Sequence, residues 1–315
     1  MRTRSLIALS TITAAALLLA GCSSSDGDDT GETDAASGDL CSATVASGPA
    51  AEGVDVDGEF GTASTATFEL GEQVDAAQRT VLTEGDGVAI ADGDYVSYAL
   101  SAFDGETGDR LGDAGYEAGE LLPVQLTAEA PMGQLIGCAT VGSRLSVVFP
   151  TSADAAAQYY IVDVLDVVPT AAWGEEQEPV DGMPSVTLAD DGEPTVEIPE
   201  GDAPEELEIS VLKEGDGIAV EDGDTTLLQY YGVDWETGES FDSSWANGAP
   251  ISIDGNTYVP GFVEALAGQK VGSQVLVVIP PALGYGEEGT SEHELAGKTL
   301  VFVIDILATV HPAAA

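Results

Sequence analysis

Three stretches in the last third of the chain, residues 227–233, 273–279 and 299–307, are apolar almost without interruption and rich in Val, Ile and Leu. Their β-branched content and the turn residues that bound them predict strands. Residues 234–239, Asp-Trp-Glu-Thr-Gly-Glu, read as a hairpin-type turn with Gly238 placed for positive φ. Only residues 261–267 carry a helical pattern, with Phe262 and Leu266 on one face and Pro260 near the first turn. One short helix among many strands predicts an antiparallel sheet wrapped around it, an α+β arrangement.

The pattern occurs twice. Val81-Leu82-Thr83-Glu84-Gly85-Asp86-Gly87 recurs 130 residues later as Val211-Leu212-Lys213-Glu214-Gly215-Asp216-Gly217. Glu106-Thr107-Gly108 and Glu236-Thr237-Gly238 keep that offset, as do Val141-Gly142-Ser143 and Val271-Gly272-Ser273. Matches without a change of register mark an internal duplication. Each copy is preceded by an extended piece, at 65–68 and 195–198. Asp163 then corresponds to Asp305, so the first copy lacks 12 residues of the loop that follows Pro280 in the second.

The copies differ in chemistry. Tyr230, Phe241, Asp242, Phe262 and Tyr285 in the second face Leu100, Leu111, Gly112, Met132 and Ala155 in the first. Scattered aromatics of this kind either fill a core or line a concave apolar site. Asp242, directly after Phe241, either caps its Asp-Ser-Ser turn or repays its desolvation by contacting a ligand. The first copy retains the packing residues and lacks the polar ones, so its fold should persist and its chemistry should not.

The second copy contains Tyr230-Tyr231-Gly232, Phe241-Asp242-Ser243-Ser244, Val259-Pro260-Gly261-Phe262, Ile279-Pro280-Pro281, Leu283-Gly284-Tyr285-Gly286 and Leu300-Val301-Phe302. The order and spacing of these blocks over residues 206–310 resemble the FKBP-type peptidyl-prolyl isomerases. The resemblance implies two FKBP-like domains, the first degenerate, each an antiparallel sheet around one short helix. It also implies a catalytic set of Asp242, Tyr230, Phe262 and Tyr285. Phe262 would form the pocket floor, and Phe241, Ile251, Tyr258, Val259 and Phe302 would contact substrate. No cofactor is implied. The partners implied are proline-containing polypeptides and macrolide inhibitors. Two departures bear on affinity: Phe262 stands where well-studied members have Trp, and Glu292, His293 and Glu294 stand where relatives place apolar rim residues. A binding module or holdase with little isomerase activity is the alternative. A solute-binding lipoprotein is disfavoured, because the alternating strand–helix pattern it needs is missing.

The N-terminus adds a compartment. Met1-Arg2-Thr3-Arg4 and the apolar run 6–20 read as a secretory signal, too short for a comfortable membrane span. Leu19-Ala20-Gly21-Cys22 is similar to a bacterial lipobox, which predicts lipidation of Cys22 and an extracytoplasmic, membrane-anchored protein. The boundaries expected are a signal at 1–21, an acidic tether at 22–40, the degenerate copy at 41–170, a linker and leading strand at 171–204, and the isomerase domain at 205–311. Cys41 and Cys138 are the remaining cysteines; in an exported chain they suggest one disulfide, with two separate thiols as the alternative. Two histidines without ligand spacing predict no metal site. A formal charge of −48 excludes nucleic-acid and polybasic-membrane roles and leaves membrane contact to the lipid anchor.

Overall fold

The strands 274–279 and 300–310 are apolar on both faces because the sheet that holds them is covered twice. In a computed structural model that describes residues 39–254 and 258–312, Gln274–Ile279 directs Val275, Val277 and Ile279 toward the helix Pro260–Leu266. Leu276 and Val278 point the other way, with Val301 and Val303 of the neighbouring strand Leu300–Val310. There they meet Val186 and Val196 from a hairpin of strands Ser185–Leu188 and Pro194–Glu197. Side chains alternate with period two, so a strand covered on both sides reads as an unbroken apolar run. Residues 171–204, expected as a linker and leading strand, pack onto this sheet. They supply this hairpin and the edge strand Glu175–Glu176.

The main sheet has the antiparallel order Glu175–Glu176, Glu208–Glu214, Gln274–Ile279, Leu300–Val310, Thr225–Asp234, Ser240–Ser243, and Ile251–Asp254 also pairs with Thr225–Asp234. A second large sheet repeats the plan in the order Gln78–Thr83, Arg144–Phe149, Gln158–Val168, Tyr95–Asp104, Arg110–Ala114, with Val124–Gln125 beside Tyr95–Asp104. Even the irregularities match. Register shifts at Val81/Thr83, Ser97/Tyr98 and Ala102/Phe103 recur at Val211/Lys213, Leu227/Leu228 and Gly232/Val233. Leu145, Val147, Val162 and Val164 pack with Leu135 and Ile136 of the helix Pro131–Ile136, while Val148, Tyr159 and Ile161 face Ala50, Ala51 and Val54.

With the two hairpins Asp55–Asp57/Thr65–Thr67 and Ser185–Leu188/Pro194–Glu197, four sheets are present among the described residues. The architecture is mostly β. All described residues fall in one compact unit. Tyr95, Leu227 and Leu307 form a shared cluster between the two large sheets, and the His311 N–H donates to the Gly119 carbonyl at 2.9 Å.

The sequence underestimates helix. Leu40–Ala43, Pro49–Glu52 and Ser244–Asn247 are single helical turns, and Pro281–Leu283 is a 3₁₀ turn. None is long enough to display a 3.6-residue period. Leu40, placed in the tether by composition, is 4 % exposed and packs into the first core. Its helix is fastened by a Cys41–Cys138 disulfide with Cα atoms 4.9 Å apart. The signal and Cys22 lie outside the described residues, among which no helix is long and apolar enough to cross a membrane.

Each large sheet buries one carboxylate at the same place. Asp163 accepts from the Arg144 guanidinium at 2.6 and 2.7 Å and from the Gly61 N–H at 2.8 Å. Arg144 also donates to the Gly58 and Glu59 carbonyls. In the second sheet Asp305 accepts from the Gln274 amide at 2.7 Å and the Ala172 N–H at 2.8 Å. Burial there pushes the Asp305 carboxyl up from its ordinary range.

Candidate active site

Strand pairing assembles the site at one end of the second sheet. Gly232 lies opposite both Phe302 and Asp242, and Tyr230 comes two residues earlier on the same strand. A Cβ on Gly232 would approach Phe241 Cζ to 2.7 Å and Phe302 Cε1 to 2.9 Å, so the absence of a side chain makes room for both rings. Phe302 stands edge-on to Phe241 at 5.5 Å and to Phe262 at 5.2 Å, both with rings 90° apart. Tyr230 meets Phe262 edge-on at 6.3 Å. Edge-to-face is a favoured geometry for aromatic pairs, because a positive ring edge meets a negative ring face.

Phe262 is delivered by the helix Pro260–Leu266, which begins directly after the extended residue Val259. A Cβ at Gly261 would sit 2.6 Å from Ile279 Cγ2, so glycine allows the helix to press onto the sheet. Phe262 is 1 % exposed and forms the base of the cluster, with the Tyr258 ring tilted 30° against it at 5.3 Å. Tyr258 is 38 % exposed and sits at the rim. Ile251, Val259, Phe241 and Tyr285 are half-buried against the same core. Among the described residues, no acceptor holds the Val259 N–H.

Asp242 is exposed beside the cluster. It accepts the Tyr230 hydroxyl at 2.7 Å and the Ser243 N–H at 2.9 Å, so the carboxylate satisfies its hydrogen bonding and also faces the aromatic set. Burial, then the hydrogen bond to Asp242 and its charge, push the Tyr230 phenol well up. Burial followed by the Asp242 charge raises Tyr258 and Tyr285 as well. All three phenols therefore stay protonated at neutral pH and can donate hydrogen bonds. No group of three or more His, Cys, Asp or Glu is arranged for a metal among the described residues.

The sequence missed two supports. Ser244 is fully buried, accepts the Tyr230 N–H at 2.8 Å and bonds Gln229 Oε1 at 2.5 Å, which pins the strand carrying Tyr230. Its place beside Asp242 in an apparent turn concealed this. His293, noted only as a polar rim residue, stacks on Tyr285 with ring centroids 3.7 Å apart and planes within 2°.

The family model described as FKBP-type peptidyl-prolyl cis-trans isomerase matches residues 217–307, the span that contains this cluster. A probable FK506-binding protein of Corynebacterium glutamicum is 44 % identical over 115 residues, covering 36 % of this chain and 97 % of that protein. The chain belongs to the FKBP-type peptidyl-prolyl isomerases. An FK506-binding protein of Streptomyces anulatus is 37 % identical over 118 residues, again 36 % of this chain and 95 % of the relative. The isomerase FkpA of Escherichia coli is 36 % identical over 101 residues, 32 % of this chain and 37 % of FkpA. As an FKBP-type enzyme, the protein catalyses cis-trans exchange at peptidyl-prolyl bonds.

Proposed function

We propose that this isomerase activity resides in the Tyr230–Asp242–Phe262–Tyr285 site of the second sheet and serves proline-containing exported polypeptides. An X-Pro bond crosses an intrinsic barrier of about 18–20 kcal/mol because twisting destroys amide resonance. The planar amide is more polar than the twisted one, so a dry apolar enclosure favours the twist without a nucleophile or metal. Phe262 would lie beneath the proline ring, with Phe241, Ile251, Tyr258 and Phe302 around it. The Val259 N–H and the Tyr285 hydroxyl would donate to substrate carbonyls, and Asp242, held by Tyr230, would bias the field at the rotating carbonyl. The observation that carries this reading is the Tyr230–Asp242 hydrogen bond beside an edge-to-face aromatic cluster.

In this reading the two large sheets form two domains, and the first is catalytically silent. The chain is a lipoprotein anchored outside the cytoplasm through Cys22. FK506, after which two of these relatives are named, would compete with substrate at the same site. A proline-limited refolding assay on the whole mature chain, with and without Asp242→Asn and the macrolide, tests it. Loss of activity in the variant and inhibition by the drug are expected; full activity in the variant refutes the site.

One observation favours an additional holding role for the first sheet. Phe149 and Leu111 are 37 % and 52 % exposed, and Phe149 stands edge-on to Tyr160 at 5.2 Å. Tyr160 stands on the strand whose counterpart in the second sheet carries Phe302, so this apolar surface can grip a chain without isomerising it. Suppression of client aggregation that persists in the inactive Asp242→Asn protein, and is lost in Phe149→Ser, is the expected result.

A further inference from the structure

The loop after Tyr285 folds back over that residue. The Gly297 N–H donates to the Gly286 carbonyl at 2.7 Å, the Gly286 N–H to Pro281 at 2.9 Å, and the Thr290 N–H to Glu287 at 3.0 Å. At its far side the His293 N–H donates to Ser291 Oγ and His293 Nδ1 accepts the Leu295 N–H, both at 3.2 Å. Leu295 in turn packs against the core beneath the site. The Ser291 bond fixes the His293 backbone and the Leu295 bond fixes its ring, while the ring face lies on Tyr285 at 3.7 Å. The Tyr285 hydroxyl has no hydrogen-bond partner among the described residues, so nothing at the oxygen fixes where the phenol points.

We infer that His293 is a positioning residue for the isomerase: its stacked ring sets the plane of Tyr285 and aims the free hydroxyl at the substrate carbonyl. The inference rests on the role given above to Tyr285. A flexible phenol must be ordered each time it donates, and a fixed ring removes that cost before the substrate arrives. An aromatic stack of this type corresponds to about a two- to tenfold effect.

Single and double variants of the whole chain test it through kcat/KM on an X-Pro peptide. His293→Ala should lower kcat/KM about two- to tenfold. His293→Phe, which retains the stack and discards the Nδ1 acceptor, should stay within about twofold of the parent protein. In a Tyr285→Phe background, His293→Ala should add no further loss, because the hydroxyl it aims is gone. If Tyr285→Phe is fully active, the role of Tyr285 falls. If Tyr285→Phe is impaired and His293→Ala is not, the positioning inference alone falls. It also falls if His293→Phe is as impaired as His293→Ala, or if the two losses multiply in the double variant.

Discussion

The two large sheets share strand order, covered faces and the positions of their bulges, yet direct their polar side chains to different ends. In the first, the charged residues hold the structure together. Arg144 and Asp163 join the sheet to the backbone at 58–61, and Cys41–Cys138 ties the first helical turn to the end of the helix beneath the sheet. In the second, glutamine replaces that arginine, and the polar groups gather at the open end as Tyr230, Asp242 and Tyr285. The common backbone is specified by buried apolar residues. A few rim positions differ between the two sheets without disturbing that packing.

The comparison is broken most severely by removing the disulfide. Cys41→Ala with Cys138→Ala frees a connection spanning 97 residues, a loss of about 4–5 kcal/mol on the chain-entropy view. Hydrogen exchange should quicken in strands 95–104 and 158–168 while isomerase activity is retained. Loss of activity with intact first-sheet protection would contradict the division of labour.

Arg144→Gln gives the first sheet the second sheet's polar pair. It leaves Asp163 without its cation, at a cost of about 3–5 kcal/mol less whatever the glutamine amide recovers. The midpoint of chemical denaturation reports it. A change below about 1 kcal/mol would mean that the arginine is interchangeable with Gln274's amide.

Asp242→Asn sharpens the chemical side. Shape is preserved and the charge that faces Tyr230, Tyr258 and Tyr285 is removed. We expect about a tenfold fall in kcat/KM, equivalent to about 1.4 kcal/mol, with unfolding unaltered. Equal activity in the two proteins would remove the carboxylate from the mechanism.

The smallest effect lies where the sheets meet. His311 Nδ1 bonds buried Asp224 at 2.9 Å, and this hydrogen bond raises the imidazole's pKa. Burial pulls Asp224 upward, but the Glu221 N–H, His311 and the Thr309 hydroxyl together hold it below the usual carboxylate range. The His311 contribution is therefore complete below its unfolded value of about 6.5 and disappears as pH rises through the higher folded value. The Asp224 contribution is lost only at acid pH, as pH falls through its lowered folded value. Thermal stability should decline slightly as pH rises above about 6.5, and His311→Gln should flatten that slope. An identical pH profile in the variant would show that the ion pair contributes nothing.

The long strands and the single amphipathic helix were legible because their patterns are repeated along the chain and again 130 residues away. Thr225–Asp234 and Leu300–Val310 extend beyond the stretches expected by a few residues only. The aromatics of the second copy stand out in the sequence, and pairing in the sheet explains how residues as distant as Tyr230 and Phe302 meet. Ser244 was not legible, since a serine buried against a strand has the same local signature as one in a turn. In the hairpin 185–197 the second strand is legible as the extended piece at 195–198, whereas the first, Ser185–Leu188, is not, for a related reason. A strand of four residues, exposed on one side, carries too little alternation to stand out, and its role depends on an apolar face that includes residues more than a hundred positions later.

That hairpin has a consequence for how the protein is made. It precedes in the chain every strand of the face it protects, from Val233 and Trp235 to Val301 and Val303. During synthesis the cover therefore emerges before the surface it must hide, and that surface can be sheltered as soon as the last strand pairs. A shortened protein beginning near residue 206 keeps Tyr230, Asp242, Phe262 and Tyr285 but leaves this sheet face bare. We expect such a piece to aggregate where one beginning near residue 171 stays dispersed.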